Sequence, residues 1–282
     1  MRTVALFGNP LRRTHSAVMH NAAFAAFGVD ARYELREVRE SDLAEQVRQA
    51  RDERWLGFQI TAPHKQVIMP FLDAIEPDAL RIGAVNSVTA GADGRLVGFN
   101  TDVSGFMTAL REHVGTDLSG AEVVVAGSGG VSHAVSYGLA KDGAGHLTVL
   151  DLDAADAGRL AARFGDLATI EPMAFADPRV RDRLAGADLF VNATSVGMLT
   201  PGPVVDVGLI SPCAAVFDVV YLPPLTELVR RARARGMRAA GGAGMLVAQA
   251  AAAFSRWTGA GDATAVMRAA VEPLLRRDDL TP

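Results

Sequence analysis

Residues 121–153, AEVVVAGSGGVSHAVSYGLAKDGAGHLTVLDLD, constrain what this chain can fold into more than any other stretch. They read as a strand, a tight glycine turn, a helix and a second strand that ends on an acid. The run at 122–126 is apolar and valine-rich, as a parallel strand buried on both faces should be. Gly127 allows the sharp bend, Gly129 lets the backbone approach a pyrophosphate, and Ser132 takes the third small position, where the helix must pack closely on the strand. Phosphates held at Gly127, Ser128, Gly129, Gly130 and Val131 would meet the N–H groups and positive dipole end of that helix. Asp151 lies 19 residues beyond Ser132, near the roughly 20 expected of an acid that binds an adenosine ribose. Its carboxylate can accept from both ribose hydroxyls but repels a 2′-phosphate, and Leu152 and Asp153 bring no cation. The expected cofactor is therefore NAD, with NADP disfavoured. The plainer alternative is an ordinary βαβ turn with a solvated aspartate.

A chain of 282 residues has room for two domains, and 49% apolar with 21% charged residues is an ordinary globular balance. The formal charge of −4 gives no basic excess, which argues against a nucleic-acid partner. Cys213 is the only cysteine, so no intramolecular disulfide or cysteine-clustered metal site can form, and a reducing compartment fits. His15, His20 and His64 are not at metal-ligand spacing, and no metal is expected. The first apolar run, at 4–7, is too short for a signal peptide, and no run approaches membrane-spanning length. The expectation is a cytoplasmic protein, a monomer or homodimer, with no membrane partner.

Read in order, residues 2–7 form a strand closed by Gly8, Asn9 and Pro10, and a polar loop follows through Leu11, Arg12, Arg13, Thr14, His15 and Ser16. Ser16 is expected to cap a helix that stops at Gly28. Strands are expected at 31–38, 55–61 and 82–89, with a hairpin at 91–94 returning the chain to Asn100, Thr101 and Asp102. Pro63 breaks the third strand and leaves Thr61 and Lys65 at its exit, where open α/β sheets place ligands. After Asp153 the α/β alternation continues through strands at 188–192 and 214–220 and ends in two alanine-rich helices, 245–257 and 263–276. Two isolated helices could not bury their faces alone, so this end is expected to pack back on the N-terminal domain. The fold class is α/β in two domains. Residues 1–103 with 241–282 form a small α/β domain for substrate and catalysis, 104–240 a Rossmann-type parallel-sheet domain for the dinucleotide, and the active site lies in the cleft.

These motifs resemble, in order and over essentially the whole chain, the shikimate dehydrogenase family, and within it the quinate/shikimate dehydrogenases that use NAD. The opening strand with Gly8, Asn9 and Pro10 matches; the family's Ser-x-Ser pair falls on Thr14 and Ser16; its Asn-x-Thr-x-Pro-x-Lys motif falls on 59–65, with Gln59 where asparagine is usual. Gly-Ala-Val-Asn is intact at 83–86 and Asn-Thr-Asp at 100–102. NADP-type members carry Asn-Arg-Thr where this chain has Asp151, Leu152 and Asp153. The resemblance implies a substrate carboxylate at Thr14 and Ser16, ring contacts from Thr61, Asn86, Tyr221 and Gln249, a nicotinamide-side loop at 192–198, and cofactor-facing positions at Val219 and Gly242.

Hydride transfer is the cofactor's work, and the protein must handle the proton. Lys65 can give a proton to an alkoxide or, once neutral, take one from an alcohol, while Asp102 holds it in register. Taken alone, Lys65 reads as a surface lysine and Asp102 as a helix cap; the resemblance makes them the catalytic pair. The implied function is interconversion of a ring alcohol and ketone of shikimate or quinate, a step of the shikimate pathway to aromatic amino acids. Gln59 and Thr14 each add about one carbon to the pocket wall, where a methylene shifts affinity by about 1 to 3 kcal/mol, so a member acting on an amino-substituted or related cyclitol carboxylate is the alternative. A non-catalytic NAD-sensing protein is the alternative of another class, against which intact Lys65 and Asp102 argue.

Overall fold

The computed structural model describes residues 1–11, 14–115 and 117–278; Arg12 and Arg13 of the polar loop lie outside them. The chain divides into two units, one of Met1–Asp102 with Val247–Leu274, the other of Val103–Leu246 with the chain from Leu275 onward.

The first unit contains β1 (Arg2–Gly8), α1 (Ser16–Ala26), β2 (Ala31–Glu37), α2 (Leu43–Asp52), β3 (Gly57–Ile60), β4 (Ala74–Ile75), α3 (Pro77–Ile82), β5 (Ser87–Ala90) and β6 (Leu96–Phe99). They build a mixed six-stranded sheet in the order β2-β1-β3-β5-β6-β4, with β1 parallel to β2 and β3 and the β5–β6 hairpin antiparallel. Phe7, Leu43, Val47, Trp55, Phe58 and Ile60 fill the core on the α2 side, with Phe7 and Phe58 stacked at 4.9 Å.

α4 (Asp102–His113) starts on the last residue of the first unit's N-terminal segment, and from Val103 the second unit follows with the rest of α4, β7 (Glu122–Ala126), α5 (Gly130–Lys141), β8 (His146–Asp151), α6 (Ala154–Phe164), β9 (Thr169–Ala174), α7 (Val180–Ala185), β10 (Leu189–Asn192), β11 (Ala215–Asp218), α8 (Glu227–Ala234) and β12 (Ala239–Ala240). Its sheet, β12-β11-β10-β7-β8-β9, is parallel at every pairing, and both faces are covered, which is why its strands read as unbroken apolar runs. The strand order reverses between β7 and β10, the switch point at which such sheets bind ligands.

The last two helices are α9 (Ala243–Thr258) and α10 (Thr264–Asp278). From Val247 onward α9 packs on the first unit: Phe254 lies 5.6 Å from Phe24, and the Trp257 indole donates to Val88 O at 2.9 Å. No helix among the described residues is long and apolar enough to cross a membrane.

Two local expectations are corrected. Ser16 does not cap α1 but is its first residue; the cap position is His15, and Thr14 Oγ1 accepts the Ser16 N–H at 3.3 Å. The stretch 82–89 is not one strand, because Ile82 ends α3, which Pro77 opens and Gly83 closes in the left-handed region at φ 74°. Six residues are too few for a helical period to show in sequence, so the apolar run beyond α3 dominates the pattern.

Candidate active site

In the first unit the exits of β3 and β6 and the entry to β5, which runs antiparallel to both, bring polar side chains together. The β5–β6 register pairs Ser87 with Phe99, and Asn86 N–H donates to Phe99 O, so Asn86 stands beside residues 100–102. Lys65 is carried by the turn after β3 and anchored by its carbonyl, which accepts from Val85 N–H at 2.8 Å. Its ammonium lies 2.6 Å from Asp102 Oδ2, with both side chains largely buried, at 14% and 8% exposure. Asn86 Nδ2 donates to Asp102 Oδ1 at 2.9 Å and to Thr101 Oγ1 at 3.0 Å, while its oxygen accepts from Thr101 N–H at 2.9 Å. Both amide hydrogens of Asn86 are thus engaged in holding the Asp102 turn. Asp102 N–H donates to Asn100 Oδ1, so the aspartate is fixed through backbone and both carboxylate oxygens.

Thr14 Oγ1 donates to Ser16 Oγ at 3.1 Å, which puts the two hydroxyls side by side at the start of α1. Thr61 leaves β3 with its N–H on Phe7 O. Gln249, on α9, accepts from Gln59 Nε2 at 3.0 Å. Lys65, Asp102, Asn86, Thr61, Thr14, Ser16 and Gln249 all belong to this unit; Tyr221, Val219, Gly242 and the glycine-turn residues belong to the other.

The second unit carries the glycine turn between β7 and α5. Gly127 has φ +98°, and a Cβ there would meet Thr194 Cγ2 at 2.9 Å and Ala193 backbone at 3.2 Å, so glycine serves both the bend and the close approach of the loop after β10. A Cβ on Gly129 would meet nothing within 4 Å. That open face at the first turn of a 12-residue helix suits a diphosphate. Asp151 closes β8, and its Oδ2 accepts from Ser128 N–H at 2.8 Å and Ser128 Oγ at 2.5 Å. The turn itself therefore aims the carboxylate. Val219 and Gly242 meet: a Cβ on Gly242 would lie 2.1 Å from Val219 O. Tyr221 is half-buried two residues beyond Val219. No group of three or more His, Cys, Asp or Glu among the described residues could hold a metal.

One buried acid was not singled out from sequence. Asp218, at the end of β11, is 0% exposed and accepts from Asn192 Nδ2 at 2.9 Å, Val220 N–H at 3.0 Å and Thr226 Oγ1 at 2.6 Å. Asn192 also accepts from Thr194 N–H and Oγ1, so one carboxylate ties the loop after β10 to the loop before α8. The signal was an aspartate inside the apolar run 214–220, a charge that burial would tolerate only with partners. Burial raises the Asp218 carboxyl from 3.8 to about 6, against the three hydrogen bonds that lower it. An acid with a raised folded-state value holds its proton more tightly when folded, so stability falls as pH rises from about 4 to 6 and is level above. Asp218→Asn is expected to remove that slope, worth up to about 3 kcal/mol, from the pH dependence of unfolding. Parallel curves for the native chain and the Asp218→Asn variant over this range would refute it.

The family profile described as "Shikimate dehydrogenase substrate binding domain" matches residues 6–88, and "Shikimate 5'-dehydrogenase C-terminal domain" matches 242–272. The chain is 39% identical to "Shikimate dehydrogenase (NADP(+))" of Moorella thermoacetica, over 94% of this chain and 90% of that one. Among solved structures it resembles a quinate dehydrogenase from Corynebacterium glutamicum in complex with NAD, at 34% identity and TM-score 0.89, covering 96% of this chain and 99% of the other. It also resembles the ligand-free 5-ketofructose reductase of Gluconobacter sp. strain CHM43, at 35% identity and TM-score 0.86, covering 97% and 98%.

Proposed function

The chain belongs to the shikimate dehydrogenase family of oxidoreductases, and from that premise we propose that it interconverts a ring alcohol and ketone of shikimate or quinate with NAD. The observation that carries the reading is the Lys65–Asp102 pair at 2.6 Å, pinned by Asn86 in the same unit as the Thr14 and Ser16 hydroxyls. A surface lysine and a helix cap would need no such enclosure.

A nicotinamide dinucleotide bound at the turn 127–131 supplies the hydride chemistry. Lys65 donates a proton to the ketone oxygen as it becomes an alkoxide and, in the other direction, takes the alcohol proton when neutral. Asp102 keeps Lys65 in place and accepts from the same hydroxyl. Asn86 fixes Asp102 in turn, which makes it a clamp on the pair. Thr14 and Ser16 direct their hydroxyls at the substrate carboxylate, Gln249 holds a ring oxygen, and Thr61 borders the ring.

NAD is favoured by Asp151, whose charge would face a 2′-phosphate, and by Leu152, which is 89% exposed where a cation would otherwise neutralise it. The relatives named for NADP(+) point the other way, so the choice rests on Asp151 and is tested by kinetics with both cofactors. A panel of shikimate, quinate and 5-ketofructose with NAD, read at the reduced-nicotinamide absorbance, tests the substrate. One of the two ring acids is expected to turn over fastest. Turnover of 5-ketofructose alone would replace the reading with a polyhydroxy ketone that lacks a carboxylate.

A further inference from the structure

Gln59 is the hub of a buried hydrogen-bond chain in the first unit. Its Oε1 accepts from the Tyr33 hydroxyl at 2.6 Å and lies 3.2 Å from His20 Nε2, while its Nε2 donates to Gln249 Oε1 at 3.0 Å. His20 is 0% exposed and stacks on Tyr33 with ring centroids 4.5 Å apart. Burial pulls His20 down to about 3, opposed by the Gln59 hydrogen bond, so the ring is neutral and carries a single N–H. Its Nδ1 is buried with no hydrogen-bond partner among the described residues. An orphaned buried N–H is rarer than an under-satisfied acceptor, so the proton sits on Nε2, where an acceptor stands 3.2 Å away.

That tautomer fixes everything downstream. An Nε2–H requires the oxygen of Gln59 in front of it, which turns the Gln59 amide nitrogen towards Gln249. A nitrogen that can only donate holds the oxygen of Gln249, from which the Thr101 hydroxyl is 3.5 Å away. A planar amide that turns its oxygen one way turns its NH2 the other.

We propose that His20 and Gln59 are positioning residues that set the polarity of Gln249, so that it meets a ring substrate as a hydrogen-bond donor and selects a ring oxygen over a ring ammonium. The inference rests on the reading of Gln249 as a substrate residue and deepens it: the substrate class is a hydroxylated ring rather than an amino-substituted one. An ammonium has donors only, and the Gln249 NH2 offers it no acceptor, so that contact is lost and repulsive where a hydroxyl would accept.

Two measurements on the full chain test this. Nitrogen-15 NMR of histidine-labelled protein, with His20 assigned by the signal lost in His20→Ala, is expected to show a protonated Nε2 and a bare Nδ1. The opposite tautomer overturns the inference without reference to any substrate. The second compares kcat/KM for shikimate with analogues that carry an ammonium in place of each ring hydroxyl in turn. The native chain is expected to reject one analogue by at least about tenfold, and Gln59→Met, which keeps the length but removes the amide, to erase most of that ratio. Undiminished discrimination in a folded Gln59→Met chain overturns the inference; if that chain does not fold, the tautomer decides. Should Gln249→Ala leave the KM for shikimate unchanged, the reading of Gln249 fails and the inference with it.

Discussion

Lys65→Ala is expected to lower kcat by about 10²-fold or more, the usual worth of a positioned acid or base. KM should move far less, because on the proposed reading Thr14, Ser16, Thr61 and Gln249 would still hold the ring. The alanine variant also leaves Asp102, at 8% exposure, without its cation, so part of its loss could come from a rearranged carboxylate. Lys65→Arg separates the two effects. It keeps a positive charge within reach of Asp102, but a guanidinium stays protonated and cannot alternate as donor and base. A lysine that serves only as a charge would tolerate arginine, and a proton-transferring one would not. Steady-state kinetics of the two variants, with unfolding curves as a control on folding, decide the matter. Near-normal turnover by the arginine variant with unchanged KM would assign the proton to Asp102 or a water and leave Lys65 a positioning role.

The second large effect is expected in cofactor choice. The native chain should use NAD with kcat/KM roughly 10²-fold or more above NADP, since a carboxylate about 4 Å from a phosphate charge is opposed by about 4 kcal/mol even at an effective dielectric constant of about 20. Ser128 strengthens the expectation, because its N–H and hydroxyl hold Asp151 Oδ2 at 2.8 and 2.5 Å and the charge cannot simply swing away. Asp151→Asn keeps an oxygen for both Ser128 donors and removes the charge, so the preference should fall at least about tenfold, mainly through a lower KM for NADP. Native kinetics that favour NADP, as the names of the relatives would suggest, would overturn the reading of the β8 terminus.

How much of the site was legible depended on how local it was. The strand, turn and helix around Gly127 lie within one stretch, and the turn's needs show in residue type alone. Lys65 and Asp102 were legible only through motifs, since 37 residues separate them and each has an ordinary surface role when read singly. The motif singles out Asn86, but the pattern around it reads as one strand because α3 is too short to show a period. Its work of holding Asp102 and Thr101 follows from the β5–β6 register, which brings residues 15 and 16 positions apart into contact.

Sequence by itself determined the α/β alternation, the glycine turn with its acid 19 residues beyond Ser132, and the residue types available for proton transfer. These depend on backbone conformation and hydrophobic period, which act over a few residues at a time. Only the tertiary structure decided which polar groups are buried together and which way each points. Gln59 meets His20, Tyr33 and Gln249 across separations of 39, 26 and 190 residues, and Asp218 meets Asn192 across 26. A buried donor needs an acceptor whatever its distance along the chain, so the orientation of Gln249 is set by a histidine more than two hundred residues earlier.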